Sequence, residues 1–225
     1  MRTKFHYSGE KRFYRFLYRI VQPLFGWLVK FEAIGREYIP KEGGTLIMSN
    51  HVSYLDPIFL GAAVTRELHY MARDNLFRPK LWGDFLTYMN AFPVRRGEPD
   101  IKALRTTLSL LEKNRLVLIF PEGTRGIDGK LGEPVEGAGF IVHRTDVPVI
   151  PTFVKGTEII LPKNAKGIKR AKVSVYFGKP LELSTLRSLK RGRETYKLIA
   201  QEIMRNIAEL KEKCISQPDV SEYRE

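Results

Sequence analysis

The stretch Ser49-Asn50-His51-Val52-Ser53-Tyr54-Leu55-Asp56-Pro57 sets an imidazole five positions ahead of a carboxylate. An aspartate on one imidazole nitrogen fixes the tautomer and leaves the other nitrogen as a general base. Five residues of regular helix would turn two side chains about 140° apart. The two therefore meet only if His51 sits in a loop that turns back toward Asp56. A plainer role is also open: Pro is favoured at the first position of a helix with Asp before it, so Asp56 reads equally well as the N-cap of a helix starting at Pro57. No G-x-S-x-G elbow is present, and Cys214 lies near the C-terminus. Ser49 and Ser53 read as capping hydroxyls. A base at His51 would then activate a substrate hydroxyl, with no covalent enzyme intermediate. His6, His69 and His143 show no ligand spacing, so no metal is expected.

Two loops offer donors for an anion. Phe92-Pro93-Val94-Arg95-Arg96-Gly97 and Phe120-Pro121-Glu122-Gly123-Thr124-Arg125-Gly126 each follow a strand-like run and set arginine beside glycine. Glycine permits close backbone approach and arginine supplies a planar fork of donors, a combination suited to phosphate. Taken singly, each loop is as well explained by a solvated Arg95 or Arg96, or by Arg125 paired with Glu122. Together with the His–Asp pair they favour a phosphate-bearing substrate.

The elements that must carry these residues follow from apolar periodicity. Strands are expected at 31–35, 44–50, 67–72, 91–94, 116–120, 147–154 and 172–178, and helices at 57–64, 76–90, 101–111 and 196–210. Strands alternating with helices predict an α/β fold with a mixed, largely parallel sheet flanked by helices. Both motifs then fall just beyond strand ends, where sites form in such sheets.

The chain has a net charge of +13 with 43% hydrophobic residues, which calls for an anionic partner. Arg2, Lys4, Lys11, Arg12, Arg15, Arg19 and Lys30 stand against Glu10 alone in the first thirty residues. There Phe13, Leu17, Ile20 and Leu24 share one helical face, Arg12, Arg15 and Arg19 gather opposite, and Phe16, Phe25 and Trp27 flank them. A basic helix with an aromatic apolar face suits an anionic membrane surface, or equally a helix packed on the domain with its arginines in water. Nucleic acid fits this strict segregation less well and is not expected. Residues 1–31 are read as an interfacial segment and 32–225 as the α/β domain. No apolar run reaches the length of a spanning helix, no signal peptide is evident, and one cysteine suits a reducing compartment.

Four ordered blocks, Asn50–Asp56, Phe92–Gly97, Phe120–Arg125 and Val147–Pro151, resemble the glycerolipid acyltransferase family, specifically bacterial 1-acylglycerol-3-phosphate acyltransferases. The resemblance implies a glycerol-3-phosphate acyltransferase-like fold, His51 as general base and Asp56 as its orienter. Asp56 would cap the helix and hold the histidine through different oxygens. Arg95, Arg96, Glu122, Gly123, Thr124 and Arg125 would bind the phosphate and glycerol of lysophosphatidic acid, with Arg96 the best match in the second block. No cofactor is implied; acyl-acyl carrier protein or acyl-coenzyme A is the co-substrate. The implied location is the cytoplasmic face of the inner membrane, bound peripherally. The chain departs from the pattern at Arg95, where many relatives carry an acid, and at Val135-Glu136, where a lysine often precedes the Gly137 position. Rival expectations are acylation of glycerol 3-phosphate or another lysolipid, and a non-enzymatic basic binding module.

Overall fold

The computed structural model describes residues 29–95, 100–126, 130–160 and 169–216. In chain order the elements are β1 (Val29–Ile34), β2 (Thr45–Ser49), α1 (Asp56–Ala63), β3 (Leu68–Arg73), α2 (Lys80–Tyr88) and β4 (Ala91–Val94). They continue with α3 (Ile101–Glu112), β5 (Leu116–Ile119), α4 (Glu136–His143), β6 (Val149–Lys155), α5 (Thr157–Ile160), β7 (Ala171–Phe177), α6 (Ser184–Ser188) and α7 (Arg193–Ser216). The expected interfacial residues Arg12, Phe13, Arg15, Phe16, Leu17, Arg19, Ile20, Leu24, Phe25 and Trp27 lie outside the described residues, as does Arg96. Residues 29–31, assigned on sequence to the N-terminal segment, belong to β1 and pair with β7.

The strands form one seven-stranded sheet in the order β1-β7-β6-β2-β5-β3-β4. From β6 through β4 all neighbours are parallel; β7 runs antiparallel to β6, and β1 runs parallel to β7. The continuous apolar runs occupy the centre, as a sheet covered on both faces requires: every residue of β2 and β5 is buried. Alternation along β2 then separates two cores. Ile47 packs with Phe59 and Leu60 of α1 on one face, while Leu46 and Met48 pack with Leu111, Ile141, Ile199 and Ile203 from α3, α4 and α7 on the other.

α4 was not expected, because Gly137 and Gly139 break the helical pattern of its sequence. Gly139 is needed there: a side chain would collide with the Tyr196 carbonyl oxygen of α7. The close approach of α4 and α7 thus repays a weak local propensity. Among the described residues no helix is long and apolar enough to cross a membrane.

Candidate active site

The site assembles at the carboxyl end of the parallel strands. His51 lies in the loop between β2 and α1 and Asp56 in the first turn of α1, so the chain does turn back between them. His51 Nδ1 stands 2.7 Å from Asp56 Oδ2. The same oxygen accepts the backbone N–H groups of Val52 at 2.7 Å and Ser53 at 2.8 Å. Asp56 is wholly buried, and these donors compensate a charge that would otherwise be costly there. Because a carboxylate only accepts, Nδ1 carries the proton and Nε2 is left as the basic nitrogen.

The expected division of labour between the two oxygens is corrected by this geometry. Leu55, not Asp56, holds the cap position of α1, and no side chain caps that helix. Asp56 reaches backward into the loop instead, and Pro57 at the start of the helix has no N–H to be capped. Asp56 Oδ1 accepts the hydroxyl of Thr157 at 2.5 Å. Thr157 was not singled out in the sequence, since its partner lies 101 positions away.

Phe120 supplies the wall of the site. Its ring stacks on the imidazole of His51 with centroids 4.0 Å apart and planes inclined by 14°. The histidine side chain keeps 12% of its surface exposed, enough for an edge to meet a substrate. The aromatic ring of the third block thus limits the tilt of the base.

Glu122 follows Phe120 by two residues and is buried. Its Oε1 accepts the His51 backbone N–H at 2.9 Å and its Oε2 that of Gly132 at 2.7 Å. Gly126 N–H in turn donates to the His51 carbonyl at 2.7 Å. Both backbone groups of His51 are therefore held by the loop after β5. The sequence assigned Glu122 to the substrate; in the structure both of its oxygens serve the backbone, and its visible work is to bind the two loops together. Gly123 adopts a φ of 65°, which makes the turn that points Glu122 inward. Thr124 is exposed beside it.

Arg125 lies over the ring of Tyr54, its guanidinium carbon 3.7 Å from the centroid. It does not pair with Glu122 as the plainer sequence reading allowed. A guanidinium stacked on a ring keeps its in-plane N–H fork clear of the ring face, so a bidentate acceptor can still be met there. Tyr54 was also missed in the sequence, though it lies between His51 and Asp56. Arg95 is exposed at the end of β4, and its backbone N–H donates to Asp100 Oδ2 at 2.8 Å. Two strand spacings, about 10 Å, separate β4 from β5 across the sheet. Among the described residues no group of three or more His, Cys, Asp or Glu side chains is placed to hold a metal ion.

Known proteins resemble this chain in sequence and in fold. The acyltransferase family model matches residues 30–155, which span all four blocks. This chain belongs to the acyltransferase family. The match covers β1 through β6 and includes His51, Asp56, Glu122 and Arg125. The acyltransferase is 30% identical to a 1-acyl-sn-glycerol-3-phosphate acyltransferase of Bacillus subtilis over 79% of this chain and 86% of that one. It is 31% identical to the chloroplastic 1-acyl-sn-glycerol-3-phosphate acyltransferase BAT2 of Brassica napus over 68% of this chain, but spans only 45% of that longer protein. Its fold matches the crystal structure of the 1-acyl-sn-glycerophosphate acyltransferase PlsC from Thermotoga maritima with a TM-score of 0.69 and 25% identity, covering 91% of this chain and 84% of that one. The non-enzymatic basic module is set aside by this membership.

Proposed function

We propose that this acyltransferase esterifies the free sn-2 hydroxyl of 1-acylglycerol 3-phosphate with a fatty acyl group from a thioester, giving phosphatidic acid for phospholipid synthesis. The observation that carries the reading is the His51–Asp56 pair, whose geometry leaves Nε2 as the base. His51 takes the hydroxyl proton as the oxygen attacks the thioester carbonyl. The C–S bond then breaks, and the proton leaves with the thiol of acyl carrier protein or coenzyme A. No nucleophile of the protein is needed, and no cofactor enters the step.

The phosphate would be held by Arg125 and the basic end of β4, where Arg95 stands next to Arg96. Position in the β5 loop supports Arg125, since that loop is the one joined to the backbone of His51. The basic and aromatic segment before β1 would hold the protein peripherally on the cytoplasmic face of the inner membrane, on anionic lipid.

The test is acyl transfer from a thioester to lysophosphatidate in liposomes, with His51→Ala beside the wild type. Phosphatidate from the wild type and a loss of roughly 1,000-fold or more in the variant are expected. Product from glycerol 3-phosphate or another lysolipid, with none from lysophosphatidate, would keep the base and replace the acceptor.

A further inference from the structure

The carboxylate that orients His51 is gripped from a part of the chain that the four sequence blocks leave out. Asp56 Oδ2 is shared by His51 Nδ1 and the N–H groups of Val52 and Ser53. Oδ1 accepts from Thr157, and both residues are wholly buried. The terminal torsion of an aspartate is broad and roughly two-fold, so a carboxylate bonded through one oxygen is free to rock about that axis. A donor fixed on the second oxygen removes this freedom.

Thr157 is delivered by a built turn. β6 ends at Lys155, and the chain reverses at Gly156 with a φ of 94°. A side chain at Gly156 would collide with the Lys172 carbonyl oxygen of β7. The Gly156 N–H donates to Glu158 Oε2 at 2.8 Å, which closes the turn. A few residues earlier, Asn50 pairs with both backbone groups of Val154: its Nδ2 donates to the carbonyl at 3.0 Å and its Oδ1 accepts the N–H at 2.7 Å. The segment from Val154 to Thr157 therefore clasps the catalytic loop at Asn50 and at Asp56, on either side of His51.

We propose that Thr157 is a positioning residue for acyl transfer, its hydroxyl acting through Asp56 Oδ1 to keep Oδ2 on His51 Nδ1. The kinetic part of the test rests on the acyl-transfer reading above; the spectroscopic part does not. Thr157→Val removes the hydroxyl at nearly constant volume, and Thr157→Ser keeps it. In Thr157→Val, kcat falls by about 10- to 100-fold, the range for loss of an outer partner that orients a histidine. KM for lysophosphatidate stays within about twofold, because Thr157 is wholly buried and offers no surface to an acceptor. Thr157→Ser recovers most of the loss.

Proton NMR of the full chain in detergent gives the independent readout. The low-field resonance of His51 Nδ1–H, assigned by its absence in His51→Ala, persists in Thr157→Ser and broadens or vanishes in Thr157→Val. A Thr157→Val protein with wild-type kcat and an unchanged resonance would show that Thr157 only fills space. A loss in Thr157→Ser with none in Thr157→Val would show that the methyl group, which only valine keeps, is what matters, and would also overturn the proposal. Should Thr157→Val not fold, the same comparison is made between Thr157→Ser and Thr157→Ala, where no group is forced into the site.

Discussion

Glu122 and Asp56 are two buried carboxylates that serve one histidine, one through its backbone and the other through its ring. The distinction makes a prediction for Glu122→Gln. The amide keeps one acceptor and turns an N–H₂ toward a backbone donor, so one of the two bridges is lost at a cost of about 1–3 kcal/mol. A lower thermal midpoint and a reduced kcat are expected, with KM for lysophosphatidate little changed; a rise in KM alone would return Glu122 to the substrate. Sequence spacing made His51 and Asp56 legible, because their coupling is closed within one short loop. It did not reveal the backbone partners of Glu122 and passed over Thr157, because a donor supplied by distant backbone, or by a hydroxyl just past the end of another strand, leaves no local pattern.

Elements were more legible than contacts. All seven strands are expected within a few residues of where they occur, since a sheet buried on both faces writes its centre as continuous apolar runs. The short helices α5 and α6 have too few residues to show a period, and α4 hides behind its glycines. α3 carries a further device: Asp100 caps it by accepting Ala103 N–H at 3.0 Å, while its other oxygen holds Arg95 N–H. The backbone N–H of Arg95, then that of Ala103, pulls the Asp100 carboxyl below its ordinary range. Asp100→Ala should lower stability by about 1 kcal/mol, as loss of a cap does. A depressed carboxylate contributes fully above its unfolded value and loses that contribution as pH falls through the folded one. Wild-type and variant melting curves should therefore separate near neutral pH and converge in acid.

At the scale of the whole molecule, the net charge of +13 calls for an anionic partner. If the segment before β1 binds anionic lipid, Arg12→Glu, Arg15→Glu and Arg19→Glu together should weaken association with anionic vesicles by at least about 100-fold, from roughly 1 kcal/mol per basic residue at the surface. Sedimentation with vesicles measures it, and partitioning equal to wild type would remove those arginines from the interface. The order of strands was not legible in the sequence, and it carries the larger consequence. Because β1 runs with β7 and against the other five, Val29 pairs with Ala171 beyond the carboxyl end of β6, beside the turn that returns to Asp56. The first strand is thus entered at the end of the sheet that carries the active site rather than at the opposite end. Were a leaflet grasped by the residues before it, β1 would begin on the same end of the sheet as the basic nitrogen, three strand spacings or about 15 Å along it, so an acceptor arriving by lateral diffusion would reach the base from its own bilayer, in a two-dimensional encounter that spares it a passage through water.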